Sequence, residues 1–431
     1  MLRTVRVSVA IICFSLISLL FLDFTGTLHV WFGWLAKIQF LPALLALNVG
    51  VILSLLLLTL LFGRIYCSVI CPLGVFQDII AWFGKRGKKL PYTYSRALSW
   101  LRYGILIVFI IAVLAGVGSF VALLAPYSSY GRIISNLFAP LYQLGNNMFA
   151  YLAERAESYA FYEVDVWVKS LSTFIIALIT FGVLVLLAWR NGRTYCNTIC
   201  PVGTFLGIIA KYSLFKPVID VSKCNSCGLC ARHCKAACID SKKHKIDYSR
   251  CVVCLDCLDK CRHGAIKYMR RSAVKDKISS PVVTQDQIDS ARRNFLSVSA
   301  LFAATTVIKA QEKKVDGGLA VIEDKKIPNR VVALTPPGSL SVRNFAKHCT
   351  ACQLCVSVCP NQVLRPSGSL MTLMQPEMSY ERGYCRPECT KCSEVCPAGA
   401  IRPISVSEKS SIQIGHAVWI CLLYTSDAAD E

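Results

Sequence analysis

Four runs of cysteine, built to nearly the same internal spacing, constrain this chain more than any other feature. The first two are Cys224-x2-Cys227-x2-Cys230-x3-Cys234 and Cys251-x2-Cys254-x2-Cys257-x3-Cys261. The other two are Cys349-x2-Cys352-x2-Cys355-x3-Cys359-Pro and Cys385-x3-Cys389-x2-Cys392-x3-Cys396-Pro. Three closely spaced thiolates wrap three corners of an iron–sulfur cubane, and the fourth cysteine of each run ligates the other cluster of its pair. The spacing therefore predicts four [4Fe-4S] clusters with crossed ligand sets. In the first module these are Cys224, Cys227, Cys230, Cys261 and Cys251, Cys254, Cys257, Cys234. In the second they are Cys349, Cys352, Cys355, Cys396 and Cys385, Cys389, Cys392, Cys359. Structural zinc would ask for four ligands in separate CxxC pairs. Gly-Ala-Ile follows each second run, at 264–266 and 399–401, so one design is used twice.

The first module departs from the pattern in two ways. Lys235 and Arg262 stand where proline follows the run in the second module. Proline is not a ligand, so assembly should survive, and the added positive charge should raise the cluster potentials. Cys238 is a fifth thiol, four residues beyond Cys234, expected to be a bystander with an alternative role as substitute ligand. His233, His263 and His348 are expected to donate hydrogen bonds or face solvent.

The first half of the chain has a different character. Of 431 residues, 54% are hydrophobic and 17% charged, against about 25% charged in soluble domains. Apolar stretches at 5–22, 41–62, 104–125 and 168–189 approach or exceed the length of about 20 residues that spans a bilayer as a helix. The net charge of +21 is explained by basic loops on the cytoplasmic side, so no nucleic-acid partner is expected. Lys85, Arg86, Lys88, Lys89, Arg96 and Arg102 place the loop 84–102 inside. The loop 126–170 has three basic and four acidic residues and should face out; within it, 135–152 reads as an interfacial helix or a packed loop.

A matched pair of motifs lies inside this half: Gly63-Arg-Ile-Tyr-Cys67-Ser-Val-Ile-Cys71-Pro-Leu-Gly74 and Gly192-Arg-Thr-Tyr-Cys196-Asn-Thr-Ile-Cys200-Pro-Val-Gly203. Each follows the cytoplasmic end of a span. An i,i+4 spacing puts both thiols on one helical face. The repeat suggests two related helix pairs whose Cys67, Cys71, Cys196 and Cys200 face one another. These four form a candidate further site that would bind a metal or cluster or cycle as a disulfide; a structural turn is the alternative.

Paired GRxYCxxxCP motifs followed by a two-cluster cysteine module resemble the NapH/NosR-type membrane polyferredoxins. Arg292-Arg293 before an apolar run of 14 residues, Phe295 to Ile308, resembles a twin-arginine signal, which with the second module resembles the exported NapG/MauM-type ferredoxins. The chain resembles a fusion of the two. The fold class implied is an α-helical membrane bundle of four spans plus a signal-like fifth segment, carrying two α+β bacterial-type 2[4Fe-4S] ferredoxin domains. The expected order is membrane module 1–220, cytoplasmic ferredoxin domain 221–272, linker 273–290, signal-like segment 291–310, linker 311–345 and periplasmic ferredoxin domain 346–420. Residues 421–431 resemble translated sequencing-adapter sequence, so the natural chain is expected to continue beyond about residue 420.

The resemblance implies an electron-transfer component of quinol-dehydrogenase type in anaerobic respiration, sited in the bacterial inner membrane. It would take electrons from menaquinol or ubiquinol and deliver them to a periplasmic reductase or carrier protein. The rivals are a metal-reducing assembly factor like the FixG-type proteins and a non-catalytic redox-sensing regulator. A quinol site needs a proton acceptor beside an apolar slot. Asp23 and His29 are the nameable candidates, although both are expected in a solvated interfacial loop. No second histidine pairs with His29, so no haem is expected.

Overall fold

The computed structural model describes residues 2–23, 26–86, 92–156, 161–270, 333–381 and 383–412. The linker 273–290, the signal-like segment 291–310, most of the second linker and residues 421–431 lie outside the described residues.

α1 (Leu2–Leu22) is one unbroken helix of 21 residues. The short helices α2 (Thr27–Phe32), α3 (Trp34–Lys37) and α4 (Phe40–Leu45) follow. The second apolar stretch is not continuous. Leu47 takes φ 53°, and Asn48 caps α5 (Val49–Phe62) by accepting a hydrogen bond from Val51 N at 3.4 Å. α6 (Ile65–Val69) and α7 (Pro72–Arg86) carry the first CxxxCP motif. The third stretch is also broken: Gly116, at φ 75°, separates α8 (Ser99–Ala115) from α9 (Gly118–Leu124). α10 (Pro126–Ile133) runs through a π-helical turn, Ile134–Phe138, into α11 (Ala139–Arg155), so the segment 135–152 is helical. α12 (Leu171–Asn191) is again an unbroken helix of 21 residues. α13 (Thr194–Thr198) and α14 (Pro201–Ala210) carry the second motif. α1 and α12 are long and apolar enough to cross a membrane. α5 and α8, with 14 and 17 residues, are shorter apolar helices.

The first cysteine module begins earlier than its cysteines suggest. β1 (Phe215–Ile219) pairs antiparallel with β4 (Ile266–Arg270), Phe215 opposite Arg270 and Ile219 opposite Ile266. Between them β2 (Ile239–Asp240) and β3 (Lys245–Ile246) form a small hairpin. The second module has one ladder, β5 (Leu364–Pro366) with β6 (Pro376–Met378), and short helices at Val342–His348, Leu354–Ser357, Lys391–Val395 and Val406–Ser411.

The modules sit at opposite ends of α1, whose 21 residues rise about 30 Å. At the amino-terminal end, Arg3 Nε donates to Asp256 Oδ1 at 2.7 Å, and Tyr268 of β4 donates to Phe62 O at 2.9 Å. At the other end, Asn136 Nδ2 donates to Gln353 Oε1 at 2.8 Å and Lys169 Nζ to Val356 O at 3.2 Å. One continuous apolar core joins Ile17, Leu20 and Phe21 of α1, Tyr127 and Tyr130 of α10, Leu184 of α12, and Phe345, Leu354 and Val356 of the second module.

The break at Gly116–Gly118 makes room for that docking. A Cβ at Gly118 would lie 2.3 Å from Ala346 O and 2.4 Å from Gln375 Nε2. Gly118→Ala should therefore loosen the second module, at about 1–3 kcal/mol for an overpacked contact. The check is thermal melting with limited proteolysis of residues 346–404, against Gly145→Ala, where a Cβ meets nothing within 4 Å.

Candidate cluster sites and a buried cysteine chamber

Three of the four expected ligand sets each line a pocket of their own. Cys224, Cys227, Cys230 and Cys261 line one. Cys234, Cys251, Cys254 and Cys257 line a second, together with Cys238. Cys349, Cys352, Cys355 and Cys396 line a third. In each set the fourth cysteine comes from the other run of its module. Among the remaining four, Cys359, Cys385 and Cys389 stand close enough to Cys392 for their charges to act on it.

Backbone bends bring the thiols inward. Ser226, Val253, Leu255, Ala351 and Gln353 all take positive φ between 50° and 65°, inside the cysteine runs. Burial pushes the thiols of Cys254 and Cys392 up to about 12 and that of Cys352 to about 11. An empty pocket therefore favours the protonated thiol, and iron must displace protons to bind. Reconstitution of the stripped protein with iron and sulfide should be strongly pH-dependent, faster near about pH 9 than near pH 7. Growth of the visible cluster absorption checks this.

Cys238 is less remote than its sequence position suggests. It is buried and its Sγ lies 3.5 Å from Cys234 Sγ. Lys235 has carboxylate partners that the cysteine spacing did not foretell. Its Nζ lies 3.4 Å from Asp78 Oδ1 and 3.3 Å from Asp256 Oδ2, and its charge also acts on Cys254 of the second pocket. His233 and His348 meet the backbone carbonyls of Leu229 and Asn344 through Nδ1, at 3.0 and 2.9 Å. His263 Nε2 is 3.0 Å from Asn225 Nδ2.

The paired motifs build a chamber with near two-fold symmetry. Cys67, Cys71, Cys196 and Cys200 are all buried, and every pair among them lies within electrostatic range. Each motif's arginine reaches across to the other motif. Arg64 Nη2 donates to Cys196 O at 3.1 Å and lies 3.9 Å from Cys67 Sγ. Arg193 Nη1 donates to Cys67 O at 2.7 Å. The closing glycines are the space this needs: a Cβ on Gly74 would lie 2.7 Å from Arg193 Nη1, and one on Gly203 2.7 Å from Arg64 Nη2. Gln77 Nε2 donates to Cys196 Sγ at 3.3 Å, and Gly203 N to Cys200 Sγ at 3.3 Å. The N-termini of α7 and α14 meet here, which favours negative charge. Among the described residues, no three His, Cys, Asp or Glu side chains close on a single metal ion. The chamber sits between the modules. Arg64 Nη1 donates to Ser249 O of the first module at 3.1 Å, and Arg132 lies within electrostatic range of both Tyr195 and Cys352.

One carboxylate locks the inner end of this arrangement. Asp78 on α7 receives Arg193 Nε at 2.9 Å and Nη2 at 2.8 Å, and Arg6 Nη1 at 3.2 Å. Burial opposes its ionisation, but Arg193, Lys235 and Arg6 hold the carboxyl well below the usual range. Neither Asp78 nor the arginine cross-over was foreseen from the sequence; the arginine in both GRxYC copies was the available signal. Asp78→Asn should destabilise the fold by about 3–5 kcal/mol, because three cations lose their shared counter-charge. A melting shift that Asp165→Asn does not reproduce would confirm it.

Asp23 and His29 are not in a solvated loop. Both side chains are buried, and His29 Nδ1 lies 3.3 Å from Asp23 Oδ2. The carboxylate also accepts from Gly26 N at 2.9 Å and Leu28 N at 2.8 Å, which fixes its orientation. The turn at Gly26, φ 81°, folds α2 back over the end of α1, and that return buries the pair.

Comparison with known proteins agrees with this geometry. Residues 44–91 and 173–221, the stretches holding the paired motifs, match a family model described as a 4Fe-4S binding domain. Residues 348–415 match a 4Fe-4S dicluster domain. The ferredoxin-type protein NapH of Haemophilus influenzae is 28% identical over 241 residues, 54% of this chain and 70% of that protein. The regulatory protein NosR of Stutzerimonas stutzeri is 24% identical over 205 residues, 46% of this chain but 23% of that protein. The pyruvate synthase subunit PorD of Methanothermobacter marburgensis is 45% identical over 60 residues, 14% of this chain and 73% of the subunit. The chain spans just over half, 55%, of the protein YccM of Escherichia coli that it matches. No solved structure matches. Two copies of the GRxYCxxxCP motif, built into one chamber and joined to ferredoxin-type cysteine pockets, identify the chain as a member of the NapH/NosR-type polyferredoxins.

Proposed function

We propose that this iron–sulfur electron-transfer protein is embedded in the bacterial inner membrane and takes electrons from quinol. Its clusters split the electron pair and pass it singly to a periplasmic reductase or carrier, the protein supplying position and potential. The observation that carries this reading is the placement of cysteine pockets at both ends of the 21-residue apolar helix α1. With the basic loops inside, the first module faces the cytoplasm and the second, like the NapG/MauM-type ferredoxins, faces out. The four expected spans are then α1, α4–α5, α8–α9 and α12, the middle two broken.

The sixteen ligands of the crossed sets hold four [4Fe-4S] clusters. Cys67, Cys71, Cys196 and Cys200 hold one more iron–sulfur centre, with ligands from both halves of the repeat. Arg64 supports this: it is fully buried and donates to Asn197, Ser249, Cys196 and Cys67. A buried cation of this kind calls for a negative partner, and a cluster ligated by four thiolates supplies one. That centre would relay electrons between the two ends of the bundle.

Two measurements test the reading. A reactive site placed at 333–340 should be labelled from outside intact cells; protection until the membrane is broken would put both modules in the cytoplasm and remove the periplasmic acceptor. Anaerobic analysis should find about 16 iron and 16 sulfide in the ferredoxin sites, plus an excess that Cys67→Ser with Cys196→Ser abolishes. Iron unchanged in that double variant would reduce the chamber to a structural turn.

A further inference from the structure

A cavity of about 400 Å³ lies where α2 and α3 meet the helix Lys391–Val395 of the second module. Its walls include His29, Trp34, Val358 and Val395, with Lys37, Lys391 and Glu394 among its polar lining groups. From these surroundings we infer that this cavity is the quinol-oxidising site, with His29 as the proton acceptor. The inference rests on the electron-transfer reading above and gives its donor a location.

Three independent observations carry it. First, His29 Nε2 is buried and has no hydrogen-bond partner among the described residues, while Nδ1 faces Asp23 at 3.3 Å. A neutral imidazole so placed offers one nitrogen to a ligand hydroxyl and keeps the other against a carboxylate that steadies the protonated ring. Asp23 is itself held by two backbone N–H groups, so it orients His29 and is a positioning residue. Second, the cavity adjoins a cluster site. Val358 and Lys391 on its wall are chain neighbours of Cys359 and Cys392. Third, α2 and α3 carry exposed Val30, Trp31 and Trp34 beside the cavity. Exposed indoles and aliphatics at the end of an apolar helix lie at the level of lipid headgroups. A ligand arriving from lipid therefore meets the cavity without crossing water. Amphiphilic ligands with a ring, two hydroxyls and an apolar tail fit these walls.

The step balances as follows. Oxidation breaks the two O–H bonds of the quinol, one after the other. Each proton passes to His29 Nε2 and leaves by the polar side of the cavity. Cys359, Cys385, Cys389 and Cys392 would hold the acceptor beside the cavity, a cluster that would take the two electrons one at a time. Loss of two protons and two electrons leaves the quinone. The groups that set the local field are Asp23, Lys37, Lys391 and Glu394. Burial, with Lys391 nearby, lowers the His29 pKa against the pull of Asp23, which keeps the base unprotonated at neutral pH.

The test uses the full chain in lipid nanodiscs, with a short-chain naphthoquinol as donor and cluster reduction followed by EPR. His29→Gln should slow quinol-driven reduction about 10²–10⁴-fold, the range for loss of a general base. Dithionite should still reduce every cluster, and iron content should stay at the wild-type level. Wild-type rates should fall as the pH drops into the range where imidazole protonates, and His29→Gln should flatten that profile. Trp34→Ala should raise the quinol KM with little change in the limiting rate. Wild-type reduction by quinol with an equally fast, equally pH-dependent His29→Gln would overturn the site and leave the electron-transfer reading intact. A wild type that quinol never reduces would overturn both.

Discussion

The ion cluster around Asp78 is the interaction on which the rest of the structure depends. One largely buried carboxylate, its side chain 12% exposed, ties α7 to α1 through Arg6, to the second motif through Arg193, and to the first cysteine module through Lys235. Lys235 continues to Asp256, which receives Arg3. Charges this deep cost several kcal/mol each to desolvate, so the arrangement is stable only while every member is matched. That requirement fixes the geometry. Arg193 cannot stay on Asp78 and also donate to Cys67 O unless α7 and α13 keep their places. The cysteine chamber is therefore positioned by the same contact that docks the first module.

The internal repeat explains how two copies of a short motif make one site. Neither half completes its own surroundings. Arg64 reaches Cys196 O, and Arg193 reaches Cys67 O, so each half supplies the polar lining of the other. Positive charge continues along the axis of the bundle. Arg64, Arg102 and Arg132 are all buried and bonded to carbonyls, hydroxyls, an amide or sulfur. In an apolar interior such cations are tolerated beside anionic groups. Clusters ligated by thiolates are anionic, and on the proposed reading they are what these arginines face. The positive groups then join the three sites, Arg132 between the second module and the chamber, and Arg64 between the chamber and the first module.

Much of this was legible from cysteine spacing alone, because cluster ligation demands a fixed geometry that few other needs would impose. Three of the four crossed sets gather around separate pockets, as the alternation of runs implies. The repeat of GRxYCxxxCP likewise announced two equivalent halves. Hydropathy was a poorer guide. It located the apolar stretches but not the interruptions at Leu47 and Gly116, because a positive-φ turn inside a hydrophobic run leaves the mean hydropathy unchanged. These interruptions have a purpose visible only in three dimensions: at Gly116 and Gly118 the second module's helix Val342–His348 lies against the backbone. The burial of Asp23 and His29 was hidden for the same reason. Their setting depends on α2 folding back at Gly26 and on a module more than 300 residues away in sequence. Lys235 read as a substituted proline with an electrostatic effect on a cluster. Its two carboxylate partners show it to be a docking residue as well.

The central claim is that electrons enter through the second module, at the end of the bundle where α1 reaches Asp23, and spread from there. The most direct measurement is rapid-freeze EPR of the lipid-embedded chain after mixing with quinol, with signals assigned through single Cys→Ser variants of each module. The account predicts that the clusters of residues 349–396 are reduced first and those of residues 224–261 later, through the chamber. Reduction of the first module before the second, or of both at equal rates when the chamber cysteines are replaced, would contradict it.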